Sequence, residues 1–80
     1  MKIKKNKLYL VTGGGGFLGK PLIKKILSNG GRVRVIGRDE GTLISLKEIY
    51  PNIEIHTGDI SDEFEVMQAM KNVHAVFHLA

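Results

Sequence analysis

Four consecutive glycines in the stretch VTGGGGFLG, residues 11–19, constrain the fold of this chain more than any other feature of its sequence. Glycine loses more backbone entropy on folding than any other residue, so four in a row need a structural reason. The run follows an apolar, β-branched stretch and precedes leucines and isoleucines at helical spacing. A glycine-rich turn between a buried strand and a helix N-terminus brings backbone N–H groups close to an anion. We therefore predict a phosphate-binding turn rather than a flexible linker.

Strand and helix patterns alternate along the whole chain. They predict strands at residues 7–12, 32–36, 53–57 and 73–79, and helices at 17–28, at 41–50 and from a cap at Ser61 to Lys71. Single helices between consecutive strands require parallel strands joined by right-handed crossovers. The predicted fold is α/β, the N-terminal half of a Rossmann-type doubly wound parallel sheet, β-α-β-α-β-α-β with strand order 3-2-1-4. In that order the glycine turn follows the central strand, at the switch point where ligands bind.

Three further predictions concern the helices: a disturbance in the first, the cap of the third, and the packing of its large side chains. Pro21 falls inside the first helix, where its ring and missing N–H predict a slight kink or a loosened first turn. Ser61 is expected to cap the third helix. Phe64, Met67 and Met70 lie at helical spacing, which favours a role in core packing.

The glycine run fits two dinucleotide-binding patterns. Gly14, Gly16 and Gly19 satisfy G-x-G-x-x-G, whereas Gly13, Gly16 and Gly19 satisfy G-x-x-G-x-x-G. The stretch TGGGGFLG, residues 12–19, resembles the T-G-x-x-G-[FY]-[LI]-G fingerprint of the extended short-chain dehydrogenases/reductases, the family of nucleotide-sugar epimerases and dehydratases. This resemblance favours the register through Gly13 and leaves the second and third glycines of the run as permissive positions.

Two later motifs agree with this resemblance. The stretch GDI, residues 58–60, is similar to the G-D-[ILV] that follows the third strand in the family. The final HLA, residues 78–80, is similar to the start of the H-[AL]-A-A motif on the fourth strand. The resemblance therefore extends over essentially the whole chain, with the motifs in the expected order.

Membership of this family would assign residues to the parts of a dinucleotide cofactor. The pyrophosphate would lie on the glycine turn, the adenine beside the loop after the third strand, and the nicotinamide beside the end of the fourth. The residues implied are Gly13, Gly16, Phe17, Leu18 and Gly19 for the pyrophosphate, Asp59 and Ile60 for the adenine, and Leu79 and Ala80 for the nicotinamide.

Residues at the end of the second predicted strand distinguish between NAD and NADP as the cofactor. An acidic residue there bonds the adenosine ribose hydroxyls of NAD, whereas an arginine just beyond it pairs with the 2′-phosphate of NADP. Here Gly37 is followed by Arg38 and Asp39. This order favours NADP(H), with NAD as the alternative because Asp39 is close by. The other interpretation of Arg38 is a solvated loop residue.

The substrate is less sharply indicated than the cofactor. The string RDE, residues 38–40, resembles the polysaccharide-biosynthesis branch of the family, which includes UDP-amino-sugar dehydratases and epimerases. This resemblance implies the cofactor-binding part of a nucleotide-sugar epimerase or dehydratase, in a parent protein expected to be a homo-oligomer. The glycine string fits the hydroxysteroid-dehydrogenase branch equally well. A non-catalytic dinucleotide sensor is a further alternative.

The residues that perform catalysis in the family are missing from these 80 residues. Hydride chemistry there relies on a tyrosine and a lysine four positions apart, the tyrosine acting as general acid and base. Tyr9 and Tyr50 are followed four positions later by Gly13 and Glu54. We therefore predict that residues 1–80 are an NAD(P)-binding domain, incomplete at its C-terminus, without oxidoreductase turnover of its own.

Charge and composition exclude other classes. The net charge is +4, but the lysines are not interleaved with aromatic residues, so we do not expect nucleic-acid binding. The apolar stretches are too short for a membrane segment or a signal peptide, and the chain has no cysteine, which together favour the cytoplasm. His74 and His78 on one strand would lie roughly 13 Å apart, too far to share a metal ion.

Overall fold

Strands and helices alternate in the computed structural model, which describes residues 2–79. The elements are β1 (Leu8–Thr12), α1 (Gly19–Ser28), β2 (Arg32–Gly37), α2 (Glu40–Ile49), β3 (Glu54–Thr57), α3 (Glu63–Ala69) and β4 (Val73–His78). The strands form one parallel sheet with the order β3-β2-β1-β4. The predicted fold class, connectivity and strand order are confirmed.

The central strand β1 is buried along its whole length because helices cover both faces of the sheet. On one face, α1 and α2 pack on the sheet in a cluster that includes Val11, Ile23 and Val35. On the other face, Ala69 of α3 joins a smaller cluster with Leu10 and Ile36. Burial on both sides fixes the carboxyl end of β1, and with it the start of the glycine turn.

Helix α1 begins later than the sequence pattern predicts. Its first residue is Gly19, and the first bond of the helix runs from the Leu22 N–H to the Leu18 carbonyl. Pro21 therefore lies in the first turn, where an N–H has no partner within the helix and its absence costs nothing. The predicted disturbance near Phe17 therefore falls outside the helix, because Phe17 precedes its first residue, Gly19.

Helix α3 is capped by Asp62 rather than by Ser61, contrary to the prediction. The Asp62 carboxylate accepts hydrogen bonds from the Phe64 and Glu65 N–H groups at 3.0 and 3.4 Å. Ser61 instead donates its own N–H and hydroxyl to Asp59, each at 2.9 Å. The error has a local cause, because serine and aspartate are equally good caps and stand side by side here.

We expect Asp62→Ala to lower the free energy of unfolding by about 1 kcal/mol, since it leaves N–H groups at the start of α3 without a partner. The matched change Ser61→Ala should cost less, because Ser61 does not bond the helix. Urea denaturation followed by circular dichroism measures both. Equal losses in the two variants would contradict the assignment of the cap.

The apolar stripe of α3 faces outward, which corrects the predicted core role of its large side chains. Phe64 and Met67 are 64% and 69% exposed, and Met70 is 42% exposed. The helical spacing was recognised correctly, but the buried residue of α3 that packs on the sheet is the small Ala69, which lies outside this stripe, directly before Met70. A small residue lets α3 lie close to β1 and β2.

Candidate functional site

The glycine turn leaves β1 through a left-handed residue and then folds tightly back on itself. Gly13 has a φ of 71°, a conformation that favours glycine. The Gly16 N–H donates to the Gly13 carbonyl at 3.0 Å, and the Gly19 N–H donates to the Gly16 carbonyl at 3.2 Å. These bonds occupy the carbonyls of the turn and place it directly against the N-terminus of α1.

Three of the glycines are required by close packing within the protein. A Cβ on Gly19 would overlap the backbone carbonyl of Gly14, which could not move away without displacing the turn. A Cβ on Gly14 would lie 2.8 Å from a methyl of Val35 on β2. A Cβ on Gly15 would likewise overlap the methyl of Thr42. The second and third glycines of the run are therefore not permissive, contrary to the sequence-based interpretation.

Gly16 differs from these neighbours because no close packing demands a glycine there. A Cβ at this position would lie 3.4 Å from the Gly13 carbonyl oxygen, an ordinary contact, and would otherwise point into open space. Phe17 and Leu18, which follow, are both exposed. Because Gly16 has no side chain, the turn presents bare backbone at this position, just before α1, where a ligand can approach closely.

The carboxyl ends of the first three strands border two adjoining cavities, which share four lining residues and are together called the depression. One cavity of about 400 Å³ is bounded by Gly13, Ile36, Gly37, Arg38, Gly58, Asp59, Ile60 and Ser61. A neighbouring cavity of about 300 Å³ is bounded by Gly13, Gly14, Gly15, Gly16, Val35, Ile36, Gly37, Arg38, Asp39, Thr42 and Leu43. The fold therefore brings the predicted phosphate, ribose and adenine residues to one place.

Of the two residues predicted to lie beside the nicotinamide, the structure describes Leu79. Leu79 is partly buried against the main core, and its N–H donates to the Thr12 carbonyl at 3.1 Å. Leu79 thus lies next to the start of the glycine turn, although it borders neither cavity. Ala80 lies outside the described residues.

Asp59 is held by its own loop. Its Oδ1 accepts the Ser61 N–H and hydroxyl, and these bonds, with a smaller contribution from Arg38, lower the pKa of the carboxyl below its usual 3.8. Oδ2 lies 3.8 Å from Nη1 of Arg38, whose side chain is 79% exposed. Such an exposed ion pair is weak, so the guanidinium is free to move to an anion in the cavity.

Asp39 is held in a similar way by α2. Its Oδ1 accepts the Gly41 N–H at 3.1 Å, and its Oδ2 accepts the Thr42 hydroxyl at 2.7 Å. The Thr42 bonds are the main cause of a lowered pKa for this carboxyl, followed by the bond from Gly41. Asp39 is therefore a charged helix cap at neutral pH, and it keeps that charge until the pH falls below the usual aspartate range.

Two side-chain pairs near the site were missed from the sequence. Thr12 Oγ1 and His78 Nδ1 lie 2.6 Å apart and join the ends of β1 and β4. His56 Nε2 and Glu65 Oε2 lie 2.9 Å apart and close the loop that carries Asp59. No short motif encodes either pair, because each joins residues of neighbouring elements. The strand order, which places β1 beside β4, could have suggested only the first pair.

Metal and membrane features are absent from the part of the chain that the structure describes. Among residues 2–79, no group of three or more histidine, cysteine, aspartate or glutamate side chains is placed to hold a metal ion. None of the helices within the same residues is long and apolar enough to cross a membrane.

The sheet order and the glycine turn at its switch point define the N-terminal half of a Rossmann-type fold. The sequence model of the 3-beta hydroxysteroid dehydrogenase/isomerase family matches residues 10–80, and the chain belongs to this family. The resemblance to extended short-chain dehydrogenases/reductases is thereby confirmed.

Individual known proteins agree with the family assignment. The chain is 37% identical over 71 residues to a 3 beta-hydroxysteroid dehydrogenase/Delta 5→4-isomerase of Mycobacterium tuberculosis, covering 89% of this chain and 18% of that protein. The X-ray structure of Pen from Bacillus thuringiensis has a TM-score of 0.88 at 37% identity and covers 95% of this chain and 24% of that one. A 3-ketoacyl-(acyl-carrier-protein) reductase of Brucella melitensis, complexed with NADH, has a TM-score of 0.72 at 28% identity, covering 84% and 28%.

The chain spans about a fifth of the length of the curated relatives that it matches.

Proposed function

We propose that this chain is the NADP(H)-binding part of an oxidoreductase that transfers a hydride between the nicotinamide and a hydroxyl or carbonyl carbon. The observation that carries the proposal is the larger cavity of the depression, which is bounded by the glycine turn, Arg38 and Asp59. Membership of the family and the NADH bound to the Brucella reductase support a nicotinamide dinucleotide as its ligand.

The residues of the depression fit the parts of this cofactor. The pyrophosphate would lie on the open backbone at Gly13 and Gly16, with the N–H groups at the start of α1, near Phe17 and Leu18, donating to it. Adenine would lie against Asp59 and Ile60, a polar and an apolar side chain that border the larger cavity. Leu79 would lie toward the nicotinamide, which supplies or accepts the hydride when bound.

The preference for NADP(H) follows from the chemistry of two neighbouring side chains. Arg38 is largely exposed and borders both cavities, so its guanidinium can pair with a 2′-phosphate. Asp39, the residue that would favour NAD, already bonds the start of α2 through both carboxylate oxygens. The arginine is available to the cofactor and the carboxylate is engaged elsewhere.

Arg38→Ala should weaken NADPH binding about tenfold and leave NADH binding nearly unchanged, because only NADPH carries the group that pairs with Arg38. Fluorescence titration of the protein expressed from its complete reading frame measures both affinities. Arg32→Ala is the matched control, since it removes the same charge from an exposed side chain at the other end of β2. Tighter binding of NADH than of NADPH by the unaltered protein would contradict the preference.

The substrate proposal rests on the named relatives. The names of the Mycobacterium and Brucella proteins specify a hydroxysteroid and a 3-ketoacyl compound, which favours a hydroxyl or keto substrate. The RDE string at residues 38–40 favours the second candidate, a nucleotide-sugar epimerase or dehydratase. Incubation of the same protein with NADPH and a 3-ketoacyl compound, with NADP⁺ and a 3-hydroxysteroid, or with UDP-N-acetylglucosamine distinguishes them by product analysis. Binding of NADPH without any product would favour a dinucleotide sensor.

A further inference from the structure

The start of α2 contains an arrangement that the role of Arg38 does not explain. Asp39 directly follows Arg38 and lies with it on the border of the smaller cavity. Its carboxylate is turned onto the helix, where Oδ2 accepts the Thr42 hydroxyl at 2.7 Å and Oδ1 accepts the Gly41 N–H at 3.1 Å. The shorter of these hydrogen bonds comes from the side chain of residue 42. The identity of this residue therefore decides whether the carboxylate accepts one or two of these bonds.

Thr42 is itself fixed by the glycine turn. It is half-buried and borders the same cavity, with its methyl group so close to Gly15 that a Cβ there would overlap it. Rotation of the Thr42 side chain would change this contact and the hydroxyl bond together. The glycine turn therefore helps to set the direction of the Asp39 carboxylate through Thr42.

We propose that Thr42 determines the cofactor specificity of the site by holding the Asp39 carboxylate on α2, away from the ribose. A released carboxylate beside Arg38 would accept hydrogen bonds from the ribose hydroxyls of NADH and would repel the 2′-phosphate of NADPH. With Asp39 held back, Arg38 alone meets the 2′ position. This inference rests on the proposed binding of a nicotinamide dinucleotide and makes Thr42 a positioning residue.

Four forms of the protein expressed from its complete reading frame test the role of Thr42: the unaltered protein, Thr42→Val, Thr42→Ser, and Thr42→Val combined with Asp39→Asn. Valine keeps the methyl that contacts Gly15 and lacks the hydroxyl, whereas serine keeps the hydroxyl. Titration with NADPH and NADH gives the ratio of their dissociation constants. This ratio does not depend on the folded fraction of the protein, so a purely structural loss leaves it unchanged.

We expect Thr42→Val to shift the ratio about tenfold toward NADH, and Thr42→Ser to keep it within about twofold of the unaltered protein. The double variant should return to at least the original preference for NADPH, because the released carboxylate is then gone. An unchanged ratio in Thr42→Val, or a double variant that still favours NADH as Thr42→Val does, would overturn the role of Thr42.

The proposed cofactor preference and the role of Thr42 can fail separately. The ratio in the unaltered protein tests the preference for NADP(H), and the differences between variants test Thr42. A protein that prefers NADH and shows no shift in Thr42→Val contradicts both. A protein that prefers NADPH with no such shift contradicts only the role of Thr42.

Discussion

Gly19→Ala should destabilise the fold by at least about 3 kcal/mol, since the new methyl would overlap the Gly14 carbonyl in a buried part of the backbone. A domain of this size has a free energy of unfolding on the order of 4–12 kcal/mol, so the loss is a large part of the total. Urea denaturation followed by circular dichroism measures it. The higher helix propensity of alanine offsets less than about 1 kcal/mol of this loss of stability. The clash itself is with backbone atoms, so rotation of a side chain cannot relieve it.

Gly16→Ala is the matched control for this substitution in the same turn. Its methyl would lie 3.4 Å from the nearest atom outside its chain neighbours, so the free energy of unfolding should change by less than about 1 kcal/mol. The methyl would, however, occupy the space above the start of α1 and weaken NADPH binding about tenfold or more. A Gly19→Ala protein as stable as the unaltered one, or a Gly16→Ala protein with full affinity, would contradict the roles given to these glycines.

Arg34→Met should lower the free energy of unfolding by about 2 kcal/mol, the second largest effect that we expect. The Arg34 guanidinium donates to Oε1 of Glu54 at 2.9 and 3.0 Å, and to the carbonyls of Ala69 and Lys71 at 2.6 and 2.9 Å. It therefore joins β2 to β3 and to the end of α3, where the last carbonyls have no partner within the helix. Methionine keeps much of the apolar stem and removes every one of these bonds.

Arg32→Met provides the comparison for this effect. Arg32 also pairs with Glu54, at 3.2 Å, but its side chain is 56% exposed whereas that of Arg34 is 15% exposed. An exposed pair of this kind contributes about 0.5 kcal/mol. Thermal and urea denaturation of the two variants measure the difference. Equal losses would show that the helix carbonyls do not depend on Arg34.

The sequence was sufficient to predict the sheet and, to within one residue, the ends of its strands. Alternation of strand and helix patterns leaves few chain paths once crossovers must be right-handed, so the strand order followed from connectivity. The depression followed as well, because the glycine turn, Arg38 and Asp59 each lie within two residues of the end of a strand. Residues at the carboxyl ends of parallel strands necessarily lie at one edge of the sheet.

The sequence could not predict which of several neighbouring residues takes a given structural role. Asp62 caps α3 and Ser61 does not, although both are good caps. The outward direction of Met67 depends on how α3 rotates against the sheet, which its helical spacing does not specify. In the sequence, Arg34 is one of two arginines in an alternating strand. It differs from Arg32 only because the end of α3 lies within reach of its guanidinium.

The proposed adenosine site is tested most directly by two cofactor fragments whose proposed contacts all lie within this chain. Calorimetric titration of the protein expressed from its complete reading frame with adenosine 2′,5′-bisphosphate and with 5′-AMP compares ligands that differ in the 2′-phosphate alone. If the depression binds the adenosine half of NADP(H), the bisphosphate should bind at least about tenfold more tightly, and NADPH should displace it. Equal affinities, or no binding of either nucleotide, would contradict the proposed site.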